Sequence, residues 1–304
     1  MNHSSGIASA HVPVMLEEIL EFLRPQQCGV FLDGTIGMGG HASALLRQMR
    51  SDSVYVGIDK DKESLAVAEE RLREFKERTF LFHGDYKSFD VFLNTLKINK
   101  VDGILLDLGI SSYQLEQSFR GFSFNKNAPL DMRMDRTSLI SASDLVNNLS
   151  EQELSTILKT FGEERWHKRI ARRIVEERKK NPVLSTQQLA EIIAMATPFS
   201  RGKIHPATRA FQALRIAVNR ELESLQECID KLIPFCAAGA RIGIISFHSL
   251  EDRIVKHTFK KYAASGALRI LTKKPVVASE KEVEVNNRAR SAKLRVAECK
   301  LEEA

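Results

Sequence analysis

Short apolar runs alternate with stretches in which apolar residues recur every three or four positions. The runs lie at residues 29–33, 53–59, 79–83 and 101–107, and they predict strands. The periodic stretches between and after them, at 41–50, 62–77 and 88–97, predict amphipathic helices. A further helix is predicted from Val12 to Leu23, with Pro13 in its first turn. This alternation is that of a doubly wound parallel sheet of the α/β class. It stops after Asp107. A loop rich in Gly, Ser, Asn and Pro runs from about 109 to 137, and helical patterns follow at 141–149, 151–161, 163–180 and 186–196 with no strand among them. Pro206 then opens one long helix with a core stripe of Phe211, Leu214, Val218, Leu222, Leu225 and Ile229. Strand character returns at 241–247, followed by a helix at 250–263 and strands near 267–273 and 292–298. The organisation expected is a core domain over 1–114, an all-helical insertion over 115–210, and the rest of the core over 211–304.

Composition narrows the classes little. The chain has 304 residues, 43% hydrophobic and 28% charged, as in ordinary globular proteins. No apolar run reaches the ~20 residues of a membrane span, and residues 1–10, small and polar, lack the features of a signal peptide. Cys28, Cys228, Cys236 and Cys299 show no metal or redox spacing, so free thiols in a reducing cytoplasm are expected. The net charge of +6 favours a polyanionic partner if it is concentrated in one place.

The candidate chemistry begins at a glycine-rich turn, Asp33-Gly34-Thr35-Ile36-Gly37-Met38-Gly39-Gly40-His41, on the end of the first strand. Its spacing is not the G-x-G-x-x-G of a nicotinamide site. An acid ahead of the glycines suits a ligand carrying an ammonium and a sulfonium better than a pyrophosphate, which favours S-adenosylmethionine. Asp59 closes the second strand about 20 residues on, where such folds place a carboxylate on a ribose. It could equally cap the helix that follows. Tyr86 could cover an adenine or simply fill the core. Asp107 closes the fourth strand beside a turn. It either contacts the cofactor or accepts a hydrogen bond from an exocyclic amine, localising the nitrogen lone pair and taking its proton. No metal is required for either role.

The chain resembles the bacterial 16S rRNA (cytosine-N4)-methyltransferase family, also called RsmH or MraW. The matching segments run in order through nearly the whole chain. They are His11-Val12-Pro13-Val14, Asp33-Gly34-Thr35 through Gly39-Gly40-His41, Leu105 to Ser112, Arg120-Gly121-Phe122-Ser123-Phe124, Pro129 to Asp135, Gly162-Glu163-Glu164-Arg165, His205 to Arg209, and Ser246 to Arg253. The resemblance implies a class I methyltransferase fold, Rossmann-like and doubly wound, with a helical insertion. It implies N4-methylation of the decoding-region cytidine conventionally numbered 1402, with 16S rRNA or the small ribosomal subunit as partner. It carries Gly39, Gly40, His41, Asp59, Tyr86, Asp107 and Gln114 over as cofactor-binding residues. Asn287 departs from a proline common in relatives, and no D-P-P-Y type motif is present.

Basic residues cluster in and beside the insertion. Arg165, Arg169, Arg172, Arg173 and Arg209 are the candidate RNA contacts, with Arg201, Lys203, Arg215 and Arg220 nearby. Such density suits phosphate contacts. Phe119, Phe122 and Phe124 flank Arg120, and could stack a base or anchor the loop; for two of the three, anchoring is the expectation. Two other classes remain open on sequence: a nicotinamide-dependent oxidoreductase on the same sheet, and a catalytically silent RNA-binding assembly factor. Monomer and dimer are both compatible with the sequence.

Overall fold

The apolar runs become neighbouring strands because each offers a hydrophobic surface to both faces of a sheet, as a parallel sheet covered on two sides demands. In the computed structural model, residues 13–198 and 205–300 are described. The expectations for residues 1–12, including His11 and Val12, and for Arg201 and Lys203 lie outside them. Strands β1 (Val30–Asp33), β2 (Val54–Asp59), β3 (Thr79–His83), β4 (Val101–Asp107), β5 (Cys236–Ser246), β6 (Leu268–Ile270), β7 (Val276–Val277) and β8 (Lys293–Cys299) form one sheet. Its order is β3-β2-β1-β4-β5-β8-β6, with β7 on β8. The first five strands are parallel, and β8 runs antiparallel to β5, β6 and β7. This is the class I methyltransferase arrangement, a Rossmann-like doubly wound sheet.

Alternation along the strands divides the core in two. Leu32, Val56, Ile58, Ile104, Leu106, Ile242 and Ile244 meet Leu225, Ile229, Val255 and Phe259 from helices Glu221–Phe235 and Ser249–Ala264. Phe31, Tyr55, Leu105 and Ile245 meet Ile19, Leu23, Leu45 and Leu46 from helices Leu16–Leu23 and Gly40–Gln48. The first helix begins three residues later than Pro13 because Met15 adopts a left-handed conformation at φ 54°.

The chain divides into two compact units, residues 1–109 with 222–304, and residues 110–221. The second unit is helical, and its core includes Leu154, Leu158, Ile170, Ile174, Leu189, Ile193, Phe211 and Leu214. The stripe from Phe211 to Ile229 is therefore not one helix. Arg220, left-handed at φ 50°, separates Ala207–Asn219 from Glu221–Phe235. Phe211 and Leu214 belong to the helical core and Leu225 and Ile229 to the sheet core, which moves the expected boundary at 210 to 221.

The loop after Asp107 is folded around a charge. Arg120 is 2% exposed, and its Nη2 donates to the carbonyls of Arg133 at 3.1 Å and Met134 at 2.8 Å. Phe122 is buried, and Phe124 packs against Phe211 with ring centroids 4.9 Å apart, so both anchor the segment; Phe119 stays exposed under Arg136.

Candidate functional site

Parallel strands with their helices on either side place their carboxyl ends along one edge, where such sheets bind ligands. Asp33, Asp59 and Asp107 are the last residues of β1, β2 and β4. The glycine turn follows β1. Gly39 has φ 76° and is the residue before helix Gly40–Gln48, a left-handed position that a side chain would strain.

Asp59 is held by the backbone. Its Oδ2 accepts from the Gly37 N–H at 2.8 Å, and its Oδ1 from the Asp61 N–H at 2.8 Å. It therefore ties the glycine turn to the end of β2. The cap of the next helix is Asp61, whose side chain accepts from the Glu63 N–H at 3.1 Å. Burial pushes the Asp59 carboxyl up to about 6, opposed by the two N–H donors. Asp33 is similar. Its Oδ2 accepts from the Tyr55 hydroxyl at 2.8 Å and its Oδ1 from the Thr35 N–H at 3.0 Å, and burial again lifts it to about 6.

Asp107 is held differently. Its backbone N–H donates to Thr35 Oγ1 at 2.6 Å, which fixes the end of β4 to the turn after β1. Its Oδ2 lies 3.7 Å from His41 Nδ1, too long for a hydrogen bond and short enough for an ion pair. Its Oδ1 is buried with no hydrogen-bond partner among the described residues. A buried carboxylate oxygen left in this way is unusual and calls for an explanation. Burial raises the carboxyl's pKa, His41 and Arg288 oppose the rise, and Glu251 adds to it.

His41 is buried, and its Nε2 lies 2.9 Å from the Val14 carbonyl oxygen. A carbonyl can only accept, so His41 Nε2 carries a proton and Nδ1 is the ring atom beside Asp107. The loop after β5 lies alongside. Glu251 Oε2 accepts from the Phe247 and His248 N–H groups at 2.8 and 3.3 Å, while Asp252 pairs with Arg295 at 2.7 Å. The Ser246–Arg253 segment thus fixes its own turn before helix Ser249–Ala264.

Tyr86 is 8% exposed and packs in the sheet core, with the Lys60 ammonium 5.8 Å from its ring centroid. Gly34 approaches it closely: a Cβ there would stand 2.9 Å from Tyr86 Cβ. Gln114 lies in the helical unit, in helix Ser112–Glu116. Its Oε1 accepts from the Ser111 N–H at 3.0 Å, closing a capping box. Sequence reasoning missed Thr35 and Tyr55 as supports of the acids, because both depend on pairing between strands distant in the chain.

The residues fit a cationic, hydroxyl-bearing ligand. Three carboxylates line the strand ends, and one buried acceptor awaits a donor.

The candidate RNA contacts lie in the helical unit. Arg165 and Arg169 stack on the Trp166 ring at 5.1 and 5.4 Å. Arg173 pairs with Glu177 at 2.9 Å, and Arg172 lies 3.7 Å from Glu151. Arg209 donates to the Glu163 carbonyl at 3.4 Å. Arg215, part of the same basic stretch, is paired bidentately with Glu221 at 2.9 and 2.8 Å.

Comparison with known proteins agrees with this geometry. The MraW methylase family matches residues 8–300. The Ribosomal RNA small subunit methyltransferase H of Trichlorobacter lovleyi is 48% identical, over 95% of this chain and 97% of its own. Those of Kosmotoga olearia and Thermotoga neapolitana are 49% and 50% identical, each over 95% of this chain and over 97% and 95% of their own. The chain belongs to the MraW methylase family, and is an S-adenosylmethionine-dependent methyltransferase built on a doubly wound sheet.

Proposed function

We propose that this chain methylates N4 of a cytidine in 16S rRNA, in the decoding region of the small subunit, acting in the cytoplasm on the rRNA or the assembling subunit. The observation that carries the reading is the unpaired Oδ1 of Asp107 at the end of β4. A cytosine amine has its lone pair delocalised into the ring, so it needs an acceptor for its N–H before it can act as a nucleophile. Oδ1 is buried while the side chain is partly exposed, so the N–H would meet the carboxylate at its open side. Asp107 would then accept the proton released as the N–C bond forms and the methyl's C–S bond breaks to leave a neutral thioether. His41 Nδ1 lies 3.7 Å from the same carboxylate.

Asp59 would hold the ribose hydroxyls of the cofactor, since a carboxylate has lone pairs beyond the two used by Gly37 and Asp61. Gly39, Gly40 and His41 of the turn, with Tyr86, would complete its site. When bound, S-adenosylmethionine would supply a methyl group already activated by the sulfonium, so alignment by the strand ends would supply much of the rate. Arg165, Arg169, Arg172, Arg173 and Arg209 are the helical unit's contributions to RNA binding. Incubating the protein with methyl-labelled cofactor and small-subunit rRNA, then analysing nucleosides by mass spectrometry, tests the reading. N4-methylcytidine in the decoding segment is expected; label elsewhere, or none, refutes it.

A further inference from the structure

Helices Glu151–Gly162 and His167–Arg178 pack side by side, and a half-open cavity of about 410 Å³ lies between them. It is lined by Ser155, Thr156, Lys159, Thr160, His167 and Lys168, together with Gln152. No carboxylate lines it. Lys159 and Lys168 have no carboxylate within ion-pair distance among the described residues, in contrast to Arg173 on the same helix as Lys168. Two lysines on the wall of one cavity without a counter-charge repel each other, and an anion between them would relieve that repulsion.

The cavity's floor is organised for donation. Ser155 is 5% exposed, and its Oγ lies 2.8 Å from His167 Nδ1. Whichever of the two donates, one further N–H or O–H of the pair is left over. Thr156 spends its hydroxyl proton on the Gln152 carbonyl at 2.9 Å. Two lysine ammonium groups, the Ser155–His167 pair and the Thr160 hydroxyl thus line a cavity free of acidic groups, a donor set suited to an oxyanion.

We infer that this cavity is a phosphate-binding site that takes a backbone phosphodiester of the rRNA substrate. The inference rests on the proposed function for the polymer, and on the cavity for the phosphate. It locates a backbone contact on a face of the helical unit that the arginines named above do not form. Phosphate contacts of this kind set affinity and register without reading sequence.

The test uses the full chain, a decoding-region rRNA fragment and inorganic phosphate. In the Lys159→Gln/Lys168→Gln variant, RNA affinity at physiological salt is expected to fall at least 10-fold. The slope of log affinity against log salt is expected to fall by about 0.7–0.9 for each phosphate no longer neutralised. Cofactor affinity and thermal unfolding stay as in the wild type, and Lys159→Arg/Lys168→Arg restores the slope. The ring resonances of His167 are followed at matched ionic strength. They shift at micromolar RNA and only at millimolar inorganic phosphate if the site belongs to the polymer. An unchanged slope in the Gln variant overturns the inference. So does a His167 response to phosphate with none to RNA, which would make the cavity a site for a free anion. Failure of the wild type to methylate the RNA would count against the proposed function instead, since cavity binding is read without catalysis.

Discussion

Replacing Asp107 by Asn separates the chemical role of this residue from a binding role, and the structure makes the substitution unusually clean. His41 Nε2–H is committed to the Val14 carbonyl at 2.9 Å, and its Nδ1 lies 3.7 Å from Asp107 Oδ2. Asparagine has the outline of aspartate and keeps one acceptor oxygen, and only the charge is lost. Burial raises the Asp107 pKa, so its ionised form is disfavoured in the folded apo protein. Removing that charge should stabilise the apo protein by about 1 kcal/mol, the scale of a poorly partnered buried polar group. Turnover should move the other way. A positioned acid–base group contributes roughly 100-fold or more, so the barrier should rise by about 2.7 kcal/mol. The assay is single-turnover methylation of a small-subunit substrate with cofactor raised well past saturation, beside urea unfolding of the apo proteins. A slow step that persists at saturation, together with higher stability, is the expected pair. Recovery of turnover at saturating cofactor would refute the argument, because it would show that only uniform binding had been removed.

Asp59 carries a pH signature. Its folded-state value near 6 exceeds the ordinary 3.8, so the stability it lends is fully present below pH ~3.8 and is lost as pH rises through about 6. The difference in unfolding free energy between wild type and Asp59→Asn should therefore shrink by up to about 3 kcal/mol from pH 4 to 7; urea melts showing a difference that grows with pH would contradict this. Tyr55→Phe removes the hydroxyl that donates to Asp33 at 2.8 Å and should cost about 1–3 kcal/mol, readable as a lower urea midpoint with unchanged slope. Gly121→Ala should cost about 2–4 kcal/mol, because φ is 71° and a Cβ would stand 2.8 Å from the Asp131 nitrogen; a variant as stable as wild type would mean that the loop around Arg120 relaxes freely.

The strands of the sheet were legible along the chain because a parallel strand buries both faces, so its residues read as an unbroken apolar run ending at a turn. The glycine turn and the acids Asp33, Asp59 and Asp107 were legible for the same reason: each stands at the end of such a run. Helix boundaries were less so. Arg220 at φ 50° is left-handed without being glycine, and nothing local to it marks the break. The stripe from Phe211 to Ile229 has one period and yet serves two cores, because periodicity records which side of a helix is buried and not what it is buried against. The state of each acid was beyond the sequence altogether. Asp59 and Asp33 find backbone and hydroxyl donors, while one oxygen of Asp107 finds none among the described residues, and Gly37 and Tyr55 each reach their acid from 22 positions away. The same holds in the helical unit. A count of basic residues singles out the arginines of one helix, but only packing shows that Glu151 and Glu177 lie beside two of them. Packing likewise brings Lys159 and Lys168, from two helices, to the wall of one cavity. Composition and period act through short stretches of chain, whereas electrostatic compensation is decided by whichever groups the fold brings within a few ångströms.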